Sequence, residues 1–221
     1  MIIDVMINSC ARIDLLERSL ESFNKYVHSE EHTFRRVLIE DKVDNERRRQ
    51  LGIDWIIKNK HEFDKIVLLP EKAGVGFWWQ KTMEYCESPY HIHVEDDNEY
   101  LTEVNIDAII DTMERHSNII NIAFSRGPIR KENNLGQEIV DGLALTKFRL
   151  MSVAAGVFNT NNVNVLLDKV GWENKIHEAG TLTPASEKLK FRKYVLGHGT
   201  KHYAHVGEAK EYRKGGWIDG K

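Results

Sequence analysis

HIHVEDDNEYL, residues 91–101, decides how this chain is read. With Tyr90 in front, the run Tyr90-His91-Ile92-His93-Val94 alternates with the period of two that marks a β-strand. It then meets Glu95, Asp96 and Asp97 without a break. Three consecutive carboxylates repel one another at neutral pH. A strand that ends in them must offset that repulsion with water, with basic neighbours or with a cation.

Working outward towards the N-terminus, the same element recurs. Residues 2–7 (IIDVMI), 35–41 (RRVLIED) and 65–70 (KIVLLP) are short β-prone runs, each closed by a polar residue or proline. Between them lie RIDLLERSLESFNKYV, NERRRQLGIDWIIKNK and FWWQKTMEYCES. In the first, Leu16, Leu20, Phe23 and Val27 fall at helical spacing, and Asp14-x-x-Glu17 resembles a capping pair. The second also reads as a helix, with Gly52 its weak point. Strand–helix alternation ending in a fourth strand predicts an α/β fold, a mostly parallel central sheet flanked by helices.

Downstream the pattern loosens into an irregular C-terminal half. EVNIDAIIDTMERHS reads as an amphipathic helix and IINIAFS as a strand. Residues 126–142 are polar and glycine-bearing, the mark of a mobile loop or hairpin. RLMSVAAGVFN reads as a strand, NVNVLLDKV and SEKLKFRKYVL as helices, and KHYAHV as a closing strand. No low-complexity linker divides the chain, so one domain over 1–221 is expected.

Composition narrows the function. Lys and Arg total 31 against 34 Asp and Glu, a net charge of −3, which argues against wholesale nucleic-acid binding. Basic residues do gather between Lys188 and Lys221. Cys10 and Cys86 are far apart and read as reduced core residues rather than a bridge. No apolar run reaches the ~20 residues of a membrane helix. The N-terminus lacks a basic region and a cleavage site, so a soluble, cytoplasmic protein is expected.

Open parallel sheets bind ligands at the carboxyl ends of their strands. That rule brings Asn8-Ser9, Glu40-Asp41, Glu71-Lys72 and Glu95–Asp97 to one edge. Hard oxygen ligands there suit Mg²⁺ or Mn²⁺. The bland alternative is a solvated acidic turn before the helix that starts near Glu103.

At this point the chain resembles a known family, the nucleotide-sugar-dependent glycosyltransferases of the GT-A fold, in particular their family-2-like inverting group. NSCARIDLLERSLESF resembles that family's first turn and helix, VLIEDKVDN its second strand end, EKAGVGFWWQKTMEYC its glycine-containing segment and HVEDDNEYL its D-x-D motif. Later, SVAAGVFNTNNVNVLLDKVGWENK, ASEKLKFRKYVLGHGTKHY and HVGEAK are similar to the family's strand–helix unit, acid-headed helix and terminal His-x-Gly. The resemblance implies a nucleotide-sugar-binding half over 1–101 and an acceptor-binding half with a C-terminal lid over 102–221.

Position by position, the resemblance implies that Glu95 and Asp97 hold the metal, with Glu95 standing where the family has Asp. It implies that Asp96 shares the nucleotide work, that Glu40 or Asp41 accepts from the base or ribose, and that Asn8, Ser9, Arg12 and Gly74 line the nucleotide pocket. Ser9 and Arg12 are equally readable as turn and helix-cap residues. His205 is a further metal ligand or diphosphate contact, or else a surface histidine on a final strand. Lys210, Arg213 and Lys214 would close over the phosphates, with Gly207, Gly215 and Gly216 as hinges. Trp78 and Trp79 are candidates for the sugar or acceptor, although helical spacing puts one of them in the core. A zinc cluster of His198, His202 and His205 is disfavoured by Gly197 and Gly199 and by the lack of a cysteine partner.

The cation, Mn²⁺ or Mg²⁺, would stabilise the diphosphate leaving group, and a carboxylate would take the acceptor's proton. The resemblance implies an acid heading a late helix; Glu187 fits with Ser186 as cap, and Glu178 is held in reserve. Glu187 is also explicable as a partner of the helix dipole. The expected partners are a nucleotide-diphosphate sugar and a hydroxyl acceptor, glycan or modified DNA. The competing readings are a metal-dependent nucleotidyltransferase or phosphodiesterase, and a non-catalytic nucleotide-sugar-binding module.

Overall fold

In the computed structural model of the protein, the described residues are 1–152, 154–172 and 178–206, with the side chains of 74–78, 178 and 179 left aside. The first half runs β1 (Ile2–Ser9), α1 (Ile13–Tyr26), β2 (Val27–His28), β3 (Thr33–Glu40), α2 (Glu46–Lys58), β4 (Lys65–Leu68), α3 (Gly74–Glu84) and β5 (Tyr90–Glu95). β1 is buried from Ile3 to Ser9, so it reads as a nearly continuous apolar run and sits in the middle of its neighbours. It pairs in parallel with β3 on one side and with β5 on the other, and β3 pairs in parallel with β4.

One local feature differs from expectation, and one agrees with it. α1 starts at Ile13 with Arg12 in the cap position, and no side chain caps it, so Asp14 lies inside the first turn. The left-handed backbone of Ala11, φ 55°, turns the chain early and frees the Arg12 side chain for other contacts. α2 continues through Gly52. A Cβ at that position would come within 3.1 Å of the Ala11 Cβ, so the glycine lets this helix lie directly on the β1–α1 turn.

The second half adds β6 (Asn98–Tyr100), β7 (Val104–Asn105), α4 (Ile106–Arg115), β8 (Ile119–Ala123), β9 (Asn134–Val140), β10 (Leu143–Phe148), β11 (Gly156–Asn159), α5 (Thr160–Val170), α6 (Thr183–Lys188), β12 (Arg192–Leu196) and β13 (Tyr203–His205). A nine-stranded sheet runs β4-β3-β1-β5-β11-β8-β12-β10-β9. β11 and β10 run antiparallel to their neighbours, and the other strands share one direction. Residues expected to form a loop or hairpin make the β9–β10 hairpin. Its turn is Asp141-Gly142, both at positive φ, the geometry that a two-residue hairpin requires.

The run SEKLKFRKYVL is not one helix. α6 ends at Lys188, Lys190 takes φ 57°, and residues 192–196 extend as β12. Phe191, Tyr194 and Val195 suit either a helix or a strand. The vacancy between β8 and β10 decides for the strand, because the backbone groups of both neighbours need partners. RLMSVAAGVFN forms a strand only from Gly156. There a Cβ would lie 2.6 Å from the Ala123 Cα, so only glycine allows β11 so close to β8.

One core packs Phe23, Ile109, Ile110 and Tyr100 from α1, α4 and β6 against the apolar side chains of the sheet. A second joins Trp79, Phe158, Val163 and Leu166 around α3 and α5.

Candidate active site at the carboxyl edge of the sheet

β1, β3 and β5 end side by side. The Asp96 N–H donates to the Asn8 carbonyl at 2.9 Å and the Asp41 N–H to the Ser9 carbonyl at 2.8 Å, so the three strand ends are laced into one rim. Immediately past the rim the chain forms β6, which pairs antiparallel with β13 and sets His205 opposite Asn98. The Val206 N–H then donates to the Asp97 carbonyl at 2.9 Å. Through this pairing a residue from the end of the described chain reaches the acidic cluster.

Glu95, Asp97 and His205 each offer one ligand atom, and those atoms lie within 4.8 Å of one another. His205 Nε2 is 2.9 Å from Asp97 Oδ1 and 3.8 Å from Glu95 Oε2. Burial, reinforced by the Asp97 charge, pushes the Glu95 carboxyl up to about 7. The hydrogen bond to Asp97 raises His205. Burial works against the Asp97 carboxylate, but His205 and Arg12 outweigh it and hold the group below its usual range. Two carboxylates and an imidazole form a donor set that suits Mn²⁺ or another divalent ion, and a cation there would favour the ionised form of Glu95. The Ser19 hydroxyl donates to the Glu95 carbonyl at 3.1 Å and steadies the backbone behind the set.

The nucleotide-side residues divide. Glu40 is 7% exposed, and burial pushes its carboxyl up to about 7. Ser9 is buried at the same rim. Asp41 uses Oδ1 to accept from the Ala73 N–H at 2.8 Å and the Lys42 N–H at 2.9 Å, tying the end of β3 to the segment that leads into α3, where Gly74 is the first residue. Asn8 turns inward instead. Its Oδ1 accepts from the Thr82 hydroxyl at 3.0 Å and its Nδ2 lies 3.5 Å from His93 Nδ1. Arg12 does not stand free at a pocket wall, because its guanidinium is spent on Asp96 and Asp97.

Glu187 is exposed in the last turn of α6, not at a helix head. Ser186 lies inside that helix, buried, and donates to the Thr183 carbonyl at 2.7 Å rather than capping. A π-helical turn, Glu178–Leu182, leads into α6, so Glu178 opens this helical stretch. Trp79 is 2% exposed and packs edge-on against Phe158 at 5.9 Å, which makes it a core residue. The Trp78 side chain and all of Lys210, Arg213 and Lys214, with the hinge glycines Gly207, Gly215 and Gly216, lie outside the described residues. His198 bonds the Leu145 carbonyl and His202 accepts from the Ser125 N–H, so neither turns to His205 as a zinc cluster would need.

Sequence reasoning missed two contributors. Cys10 donates its N–H to Asp96 at 3.1 Å, a backbone role with no sequence signal. Ser19 did carry one, as a polar residue on the face of α1 that buries Leu16 and Phe23.

No protein-family model matches the chain, and no curated protein matches it in sequence. Solved structures do match. GalNAc-T7 with UDP, GalNAc and Mn²⁺ superposes with TM-score 0.61 at 12% identity, over 90% of this chain and 44% of that one. A mannosyltransferase from Pyrobaculum calidifontis with GDP-Man and Mn²⁺ gives 0.58 at 8% identity, over 96% and 59%. S. aureus TarS with UDP-GlcNAc gives 0.57 at 12% identity, over 97% and 64%. The fold is GT-A. At these identities the likeness is one of fold. The chain spans about 37% to 64% of the length of such neighbours, so it matches part of each. In this GT-A sheet the acidic rim occupies the carboxyl edge, and no helix among the described residues is long and apolar enough to cross a membrane.

Proposed function

We propose that this protein transfers a sugar from a nucleoside-diphosphate sugar to an acceptor hydroxyl, using a divalent cation held by Glu95, Asp97 and His205. The observation that carries the reading is the meeting of those three side chains at the carboxyl edge of a GT-A sheet. The donor class is supported by the neighbours that contain UDP, UDP-GlcNAc or GDP-Man, and Mn²⁺ as cation by the two that contain it.

The cation, when bound, supplies Lewis-acid stabilisation to the diphosphate as it leaves. The rest falls to the chain. Glu40, Ser9 and Asp41 form the rim against which the nucleoside would lie. The acceptor oxygen gives its proton to a carboxylate as it bonds to the anomeric carbon, while the bond from that carbon to the diphosphate oxygen breaks. Attack from the side opposite the diphosphate inverts the anomeric centre. We place the proton acceptor among the acids of the helical stretch before β12, with Glu187 in α6 as the first candidate and Glu178 as the reserve.

The test is a thermal-shift and turnover screen of UDP- and GDP-sugars with and without Mn²⁺. A Mn²⁺-dependent shift with one donor, lost in Asp97→Asn, is the expected result. Glu187→Gln should keep that shift and lose transfer to a hydroxyl acceptor, while Glu178→Gln keeps both. Folded protein that responds to no nucleotide sugar would sink the reading, and the reverse pattern in the two glutamine variants would move the base to Glu178.

A further inference from the structure

The inference rests on the proposed cation seat and concerns the acid in its middle. The Asp96 side chain is 1% exposed, Asp97 5% and Arg12 10%, so all three lie nearly out of water. Asp96 Oδ2 accepts from the Cys10 N–H and from Arg12 Nε, both at 3.1 Å, and Asp96 Oδ1 accepts from Arg12 Nη2. The remaining arm, Arg12 Nη1, donates to Asp97 Oδ2 at 2.8 Å. The other oxygen of Asp97, Oδ1, is the atom that faces His205 Nε2.

One rigid fork therefore spans two adjacent carboxylates. A guanidinium can do this because its donors are planar and fixed in angle, which an ammonium on a flexible stem cannot match. The fork is itself held from behind. Ala11 sits in the left-handed turn that aims Arg12, and Gly52 lets α2 press on that turn.

We infer that Arg12 is a positioning residue: anchored by Asp96, it holds Oδ2 of Asp97 so that Oδ1 is presented to the cation beside Glu95 and His205. Asp96 is the anchor of this clamp rather than a ligand. The clamp also sets the charge of the seat. Arg12 cancels one of the three acids and leaves two carboxylates for a doubly charged ion.

The experiment is Mn²⁺ binding to the whole chain, without nucleotide, read from the electron paramagnetic resonance signal of free Mn²⁺. Positioning partners behind metal ligands typically contribute about 10–100-fold in affinity. Arg12→Gln should weaken Mn²⁺ binding by about that factor. A role through charge alone has the opposite sign, because removing a positive group beside the seat would tighten it. Arg12→Lys keeps the charge and loses the fork, so it should weaken binding as Arg12→Gln does, and it stands in should Arg12→Gln not fold. Two results would overturn the inference: unchanged or tighter binding in Arg12→Gln or Arg12→Lys, or an Asp96→Asn that abolishes binding as completely as Asp97→Asn. Failure of folded wild-type protein to bind Mn²⁺ at all is a different result, and it brings down the cation seat together with its clamp.

Discussion

His205 Nε2 lies 2.9 Å from Asp97 Oδ1, and the two meet only because β13 pairs with β6. The strand pairing uses backbone groups, so His205→Gln should leave it intact. Titration calorimetry with Mn²⁺ should show weaker binding in His205→Gln and none in Asp97→Asn. Equal affinity in wild type and His205→Gln would remove the imidazole from the ligand set.

His91 and His93 should make the fold sensitive to acid. Burial drives their pKa values down to about 3 and about 4 from 6.5, so both are neutral in the folded protein. The unfolded chain takes up protons below pH 6.5 that the folded chain refuses. Their contribution to stability is therefore complete above 6.5 and is lost as pH falls towards the folded values. Each pH unit in that window costs on the order of 1 kcal/mol per imidazole. Glu40, raised to about 7, acts in the opposite direction, so the measurement is the difference between wild type and His91→Gln in urea melts from pH 7 to 5. The variant should lose about 2 kcal/mol less than wild type across that range. Parallel curves would mean that His91 is not held neutral.

Gly156→Ala should destabilise strongly. The new methyl would lie 2.6 Å from the Ala123 Cα and 2.8 Å from the Ile122 carbonyl oxygen, and both are backbone atoms that cannot step aside. A cost of about 3 kcal/mol in a urea melt is expected. A loss below half of that would show that β11 can shift away from β8.

Asp4 offers a way to separate stability from function. It is buried at the amino end of β1, where it accepts from Arg35 Nε at 2.6 Å, Arg35 Nη2 at 2.8 Å, the Glu87 N–H at 2.7 Å and the Ser88 N–H at 2.9 Å. Asp4→Asn should cost about 3 kcal/mol. The rim at Ser9 is five residues along the strand, roughly 17 Å away, so Mn²⁺ affinity should stay as in wild type. A matching fall in affinity would link the two ends of the sheet.

Much of the architecture was legible because periodicity is local. β1, β3, β4 and β5, and the helices between them, announce themselves in runs of a few residues. Where they end follows from the same runs, which is why Glu40, Asp41 and the acidic cluster could be set on one edge. β12 was not legible in this way, since Phe191, Tyr194 and Val195 satisfy helical and extended spacing alike. Trp78 and Trp79 could not be told apart by composition, and only packing against Phe158 puts Trp79 inside.

The sequence by itself determined that an α/β sheet would bring carboxylates to its carboxyl edge, because strand period and strand ends follow from covalent geometry and side-chain polarity over short distances. Only the tertiary structure decided what each polar side chain at that edge does. Asn8 faces the core, Arg12 faces the acids, and Asp96 is consumed by Arg12, a partner 84 positions away in the chain. The physical reason is that such contacts depend on how β1 and β5 lie against each other and on a left-handed turn at Ala11, and neither is encoded in the pattern of neighbouring residues.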